Sequence, residues 1–271
     1  MASIGRNVDR AKRTLARAAR RRGPLMAALR AARRGLVDRS ASFADALHDA
    51  RRSYAEKRDA RDMDHLRVLL GFWLTPESNC VDIGANQGHV LRMIQERAPH
   101  GRHLAFEPIP DLAQQLRRSF PDVTVHDVAL SDAPGTAEFT VVEGDDRHGY
   151  SGITRNLAPL PESWTTRSTT VETARLDDLV PADYVPRFIK IDVESSELEV
   201  LRGGRRTLAD HRPILFMEHG VAQETGELHE LLTELGYSIY DVDGGGPYDG
   251  PDAMLAAAHS PNGRLWNWVC L

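Results

Sequence analysis

Cysteine is almost missing from this chain: among 271 residues only Cys80 and Cys270 occur. They show no metal-type spacing and no disulfide framework, so a reducing, intracellular setting is expected, taken here as cytoplasmic. Long apolar runs are missing too. No stretch approaches the roughly 18 uninterrupted apolar residues of a membrane span, and the Arg-rich N-terminus lacks a secretory apolar core. There is no internal repeat. Basic residues are scarce after residue 40: eleven Arg and one Lys lie in residues 1–40 against Asp9 and Asp38, and the remainder holds 22 basic against 37 acidic residues. A core this acidic argues against nucleic acid as a partner, because binding it takes a basic face.

The basic residues sit on helical periodicity. Ile4, Val8, Ala11, Leu15 and Ala18 recur at helical spacing, Gly23-Pro24 interrupts, and Leu25, Leu29, Ala32 and Leu36 resume it. Two readings stand for this arm: a solvated helix or lid, and a docking arm for anionic lipid or an acidic partner. Phe43, Leu47, Tyr54, His65, Leu66, Leu69, Leu70 and Trp73 extend the helical pattern to Thr75-Pro76. The expected division is therefore a basic helical arm and cap over residues 1–75 and one domain over 76–271.

From Cys80 the pattern alternates strand with helix. The stretch Cys80-Val81-Asp82-Ile83-Gly84-Ala85-Asn86-Gln87-Gly88-His89-Val90 reads as strand, glycine-bearing turn and helix start. Glycines there let the backbone approach a ligand, and the unpaired amides of the helix start face it. About 19 residues past Gly88, the run His103 to Phe106 ends at Glu107, the spacing at which a carboxylate reaches a ribose hydroxyl. Strands are expected at about 80–84, 103–107, 123–128, 188–193, 214–218, 237–241 and 265–270. Helices are expected at about 88–98, 110–119, 195–209 and 225–235. Such alternation predicts a parallel sheet. Residues 136–143 and 168–174 read as two more strands joined by a long connection of the functional or mobile kind. Residues 244–263 are turn-rich and expected to be irregular.

The runs VDIGANQGHV, AFEPIPDLAQQL, VALSD, ARLDDL, IKIDVESSELEVLRGG and RPILFMEHG, in this order, resemble the FkbM-type S-adenosylmethionine-dependent methyltransferases over about residues 78–241. The resemblance implies an α/β fold: a Rossmann-like class I methyltransferase domain with a seven-stranded, mostly parallel sheet, strand order 3-2-1-4-5-7-6, helices on both faces, and here an N-terminal helical extension. It implies S-adenosyl-L-methionine as cofactor, with Asp82, Gly84, Ala85, Asn86 and Gly88 around its methionine part and ribose. Glu107 would accept the ribose hydroxyls, and Asp127 and Val128 would meet the adenine. Asp192 and Glu194 after the fourth strand, with Glu218 and His219 after the fifth, would face the methyl group. His219 and Asp192 are the candidate general bases for a hydroxyl acceptor, while Lys190 is expected to pair with a carboxylate. No metal site is assigned, although Asp192, Glu194 and Glu218 offer oxygens of the kind a hard cation takes. Trp266 and Trp268 read as strand packing. One departure stands out: the family pattern usually has Gly after the second acidic residue, where this chain has Ser195.

The expected activity is methyl transfer to an oxygen of a small or saccharide-like acceptor. A nicotinamide-dependent oxidoreductase is disfavoured because the third glycine of the dinucleotide fingerprint is not in place. A binding module that uses the Arg-rich arm on a membrane or RNA is the remaining alternative.

Overall fold

The computed structural model describes residues 54–144, 148–219, 224–258 and 267–271. The basic arm, Phe43, Leu47, Leu265 and Trp266 lie outside them. The compact unit that carries the sheet is Asp62–Leu271. It begins before the expected boundary at residue 76 because helix α1 (Tyr54–Trp73) sends Leu66 and Leu70, one turn apart, into a cluster with Cys80, Phe188 and Phe216. Among the described residues no helix is long and apolar enough to cross a membrane.

Seven strands form the main sheet: β1 (Asn79–Ile83), β2 (His103–Phe106), β3 (Val123–His126), β8 (Pro186–Ile191), β9 (Ile214–Glu218), β10 (Ile239–Asp241) and β11 (Asn267–Cys270). Their spatial order is β10-β11-β9-β8-β1-β2-β3, with only β11 antiparallel to its neighbours. That is the strand order expected of a class I methyltransferase. Side chains alternate across the sheet. Val81, Ile83, Ile189, Ile191, Leu215 and Met217 enter one core cluster, whereas Cys80, Phe188, Ile214 and Phe216 enter the one that contains α1. Both cysteines are free and buried. Burial pushes each thiol up to about 12, so neither is a nucleophile near neutral pH.

Helix α2 (His89–Arg97) follows β1, and α3 (Pro110–Ser119) follows β2 with Pro110 in its first turn, where the missing amide proton costs nothing. The two extra strands belong to a second sheet, the later one starting two residues before its expected position. Strands β4 (Ala129–Leu130), β5 (Gly135–Val142), β6 (Gly152–Ile153) and β7 (Thr166–Ala174) run in the order β4-β7-β5-β6. Its inner face, with Ala137, Phe139, Val141, Ile153 and Val171, packs on Ile109 and Leu112 of the α3 region. The second sheet is thereby pressed against the carboxyl end of β2.

Two expectations need correcting. The single helix at 195–209 is two, α5 (Glu197–Gly203) and α6 (Arg205–His211). Asp177, in the short helix α4 (Leu176–Leu179), accepts the Arg206 and Thr207 amides at 2.9 and 2.8 Å, which caps α6 as a separate helix. Residues 244–263 are not all irregular, because α8 (Pro251–Ala258) lies among them. Its proline at the first position, Asp252 in the first turn and the following Ala-rich run suit a helix, and Met254 is buried in the main core. Helix α7 (Thr225–Glu234) lies where expected.

Ser195 occupies the position at which the family pattern favours glycine, and it adopts φ 74°, with Glu194 before it at φ 52°. Both are in the left-handed region that costs a non-glycine residue about 1–2 kcal/mol. The Ser195→Gly variant is expected to be more stable by about 1 kcal/mol, read as a higher denaturant midpoint with an unchanged slope.

Candidate functional site

The site is built where β1 and β8 end side by side. Their register pairs Asp82 with Lys190, and that of β8 with β9 pairs Lys190 with Phe216, so Lys190 lies on the sheet face that packs α1. A buried ammonium needs partners. Lys190 Nζ donates to the Gly84 carbonyl at 2.6 Å, pairs with Asp192 at 3.1 Å and lies 3.6 Å from Asp82 Oδ1. Burial opposes its charge, but the Asp192 and Asp82 carboxylates outweigh burial and hold the ammonium above its usual range. Gly84 has φ 70°, and a Cβ there would lie 1.8 Å from the Asp192 carbonyl oxygen. Only glycine lets the two strand-end loops meet so closely.

Glu107 is the second anchor. It is 4% exposed; its Oε2 accepts the Asn86 amide at 2.8 Å and its Oε1 accepts the Ile109 amide at 2.9 Å. One carboxylate thus fixes the loop after β1 to the loop after β2. Burial raises it to about 7 against the pull of those two amides and of Lys190. Each oxygen keeps lone-pair capacity for a further donor.

Glu107 lines an open cleft of about 560 Å³ with Gly84, Asn86, Ile109, Val128 and Asp192. Its far wall comes from the second sheet and the connection that sequence reasoning had only flagged as functional or mobile: Phe139, His148, Gly149, Ser151 and Ile153. A second space of about 550 Å³ adjoins it, lined by Met63, Ala85, Phe216, Glu218 and Asn267, and the two share Gly84, Asn86 and Asp192.

The expected site residues divide accordingly. Gly84, Asn86, Glu107, Val128 and Asp192 line the cleft, and Ala85 and Glu218 line the adjoining space. Asp82 lines neither; it is fully buried beneath the loop, and burial raises its carboxyl despite Lys190. Gly88 stands outside as the cap of α2, at φ 80° against the Phe120 ring. Asp127 lies beyond the end of β3, half-exposed and bound to Arg117 at 2.8 Å, so it does not line the cleft. Glu194 lines neither space and packs its backbone against Gly152 of β6.

His219 is the main correction. It is 3% exposed, with Nδ1 3.1 Å from Glu197 Oε2 and Nε2 3.2 Å from Thr225 Oγ1. Both ring nitrogens are committed inside the fold, which leaves no nitrogen for an acceptor's proton. Glu197, to which the sequence analysis gave no role, also accepts the Ser195 amide at 3.1 Å. It thus braces the strained turn after β8 against the end of β9. Trp268 is core, donating to the His219 carbonyl at 3.1 Å. Among the described residues, the group of three potential ligands whose donor atoms lie within 4.8 Å of one another is Asp62, His65 and Asp243. Asp192, Glu194 and Glu218 do not converge as a metal set.

The strand order and the paired loops at the carboxyl ends of β1, β2 and β8 define a class I methyltransferase domain. The Methyltransferase FkbM domain family matches residues 82–239, and this chain belongs to that family, whose methyl donor is S-adenosylmethionine. The chain is 28% identical over 180 residues to the 2-O-methyltransferase NoeI of Sinorhizobium fredii, covering 61% of this chain and 74% of NoeI. It is 27% identical over 209 residues to the AMB antimetabolite synthetase AmbE of Pseudomonas aeruginosa, covering 62% of this chain but only 10% of AmbE. The solved FkbM methyltransferase of Methylobacillus flagellatus aligns with TM-score 0.46 and 21% identity, over 73% of this chain and 44% of that one. The chain therefore spans a small part of AmbE and less than half of the solved relative.

The residues present fit the donor. Among the described residues, Asn86 Oδ1 and His148 Nδ1 are enclosed with no hydrogen-bond partner, and both residues line the cleft. Apolar Ile109, Val128, Leu130 and Phe139 supply a surface for a flat base. Hydroxyl donors bind the ionised form of Glu107 better than the protonated one. Affinity for S-adenosylhomocysteine is therefore expected to rise with pH through about 7 and level off above it. The change from pH 6 to pH 8 is about tenfold. Calorimetric titration across that range checks it, and Glu107→Gln is expected to bind weakly with the pH dependence removed.

Proposed function

We propose that this chain is an O-methyltransferase acting on a hydroxyl of a small, saccharide-like acceptor. The observation that carries the reading is the pair of joined cavities with Asp192 at their seam. In this reading the cleft takes the donor: Glu107 accepts the ribose hydroxyls, Val128 packs on the adenine, and the loop from Gly84 to Gly88 surrounds the methionine part. Asp82 supports that loop from beneath through Lys190.

The adjoining space takes the acceptor. Its lining brings together the Asp192 and Glu218 carboxylates and the Asn267 amide, whose Oδ1 is enclosed with no partner among the described residues, beside Asn86, His89 and Lys190. Lys190, the buried cation there, is already committed to Gly84 and Asp192. Such a lining suits an occupant that brings O–H donors, with Met63 and Phe216 against its apolar faces. The printed name of NoeI, a 2-O-methyltransferase, supports oxygen as the methylated atom. A cytoplasmic setting is part of the same reading, supported by the two free thiols.

When bound, S-adenosylmethionine supplies an electrophilic methyl on a good leaving group, so what remains for the protein is placement of the acceptor. Asp192 accepts the hydroxyl's hydrogen bond and aims its oxygen along the seam. Its pairing with Lys190 at 3.1 Å fixes it in place, which suits it to orienting. Asp192→Asn is expected to bind S-adenosylhomocysteine within about twofold of the parent and to lose on the order of a hundredfold in turnover. The measurement is methyl transfer from labelled S-adenosylmethionine to a panel of hydroxylated, aminated and thiol acceptors, with calorimetry in parallel. Transfer to amines or thiols alone would overturn the oxygen assignment.

A further inference from the structure

The cleft holds several side chains that none of the sequence motifs contains, and one of them is an imidazole. His148 opens a single turn of 3₁₀ helix, His148–Tyr150, in the connection between β5 and β6. It is half-buried, it lines the same cleft as Glu107, and its Nδ1 is shut off from solvent without a protein partner. Enclosing an imidazole nitrogen without a hydrogen bond costs about 1–3 kcal/mol, so an unpartnered one on a residue that lines a ligand cleft points to the ligand as its partner. The hydroxyls of Ser151 and Ser196, which also line the cleft, each have a protein partner already. Ser151 Oγ is engaged by the Val142 amide at 2.9 Å, and Ser196 Oγ by Asn156 Nδ2 at 2.9 Å.

The position of the turn says which part of the ligand it meets. The apolar patch of Ile109, Leu130 and Phe139 suits the base, and Glu107 suits the ribose. Asn86 is tied to Glu107 through its amide, and a Cβ on Gly149 would lie 3.5 Å from Asn86 Nδ2. The His148 turn is therefore seated on the Asn86 and Glu107 side of the cleft, away from the base.

We propose that His148 is a cofactor-binding residue whose Nδ1 hydrogen-bonds a ribose hydroxyl of S-adenosylmethionine, so that the diol is gripped between Glu107 on one wall and the 3₁₀ turn on the other. The inference rests on the donor reading of the cleft. Either neutral tautomer serves, because a hydroxyl both donates and accepts. The contact would tie the second sheet to the bound nucleoside, and it gives the long connection a task that its sequence does not advertise.

Calorimetric titration of the full-length chain with S-adenosylhomocysteine tests this without any acceptor. His148→Ala is expected to weaken binding about tenfold. His148→Asn, whose amide nitrogen reaches the place of Nδ1, is expected to recover most of that loss. Removing the ribose 2′- or 3′-hydroxyl from the ligand should erase the difference between parent and His148→Ala for at least one of the two analogues. Equal affinity of parent and His148→Ala overturns the inference and leaves the donor site standing. So does a loss that His148→Asn does not repair, or one that persists with both deoxy ligands. No binding of S-adenosylhomocysteine to the parent protein overturns the donor reading itself and the inference with it.

Discussion

The site depends on one buried cation. Lys190 sits on the sheet face that α1 covers, where an unpaired charge would be very costly. It is tolerated because the ends of β1 and β8 surround it with the Gly84 carbonyl and the Asp82 and Asp192 carboxylates. The constraint runs both ways: the ammonium needs those oxygens, and the oxygens are held in place by the ammonium. The left-handed turn at Gly84 and the carbonyl of Asp192 meet at a distance no side chain would permit. The position of Asp192 at the seam of the two cavities is thus a consequence of an electrostatic requirement one layer deeper.

Glu107 extends this frame to β2 by a different device. Lys190 joins its strands through charge, whereas Glu107 joins loops by receiving two backbone amides in a buried place. Burial outweighs those bonds enough to lift its carboxyl to about 7. A group poised at that value gains from each additional donor, and a vicinal diol brings two. The same burial that disfavours ionisation of the empty carboxylate therefore increases its preference for a ligand that supplies hydroxyls.

The strand-end positions were legible in the sequence because the parallel strands are short apolar runs that stop at polar residues, and the sheet rule puts those stops on one edge. Which way each stop points was not legible. His219 follows β9 directly, yet its ring turns into the fold because Glu197, on a separate helix, offers a carboxylate there. Asp127 follows β3, but Arg117 on α3 draws it outward. In both cases the deciding partner is distant in sequence and of ordinary type, so no local pattern announces it. The second sheet was hidden for a related reason. Its two long strands were readable one by one and the two-residue strands β4 and β6 were not, while the pairing of β5 with β7 across the long connection depends on an inner apolar face that only tertiary packing reveals. Ser195 is the converse case: its departure from glycine was visible in the sequence, and the structure keeps the glycine-like φ. The loop shape is therefore imposed by its surroundings, with Glu197 bonded to the Ser195 amide.

Those surroundings also explain why the two cavities differ in character. The cleft proposed for the donor is walled by parts of the fold fixed by several independent constraints: Lys190 under Gly84, Glu107 between two loops, and the 3₁₀ turn on Asn86. The adjoining space takes Met63 from α1, Glu218 from the end of β9 and Asn267 from the first position of β11. Those last two are register partners across an antiparallel pair. Asn267 is held in turn by donating to Asp62 at 3.0 Å, so α1 and the closing strand are coupled at that wall. A change in the helix that covers the sheet would reshape the adjoining space at Met63 and Asn267, neither of which bonds Glu107. In the proposed reading, acceptor specificity can thus diverge through Met63 of α1 and Asn267 of β11 while the donor site stays constant, because neither residue bonds Glu107 or the amides of Asn86 and Ile109 that it receives.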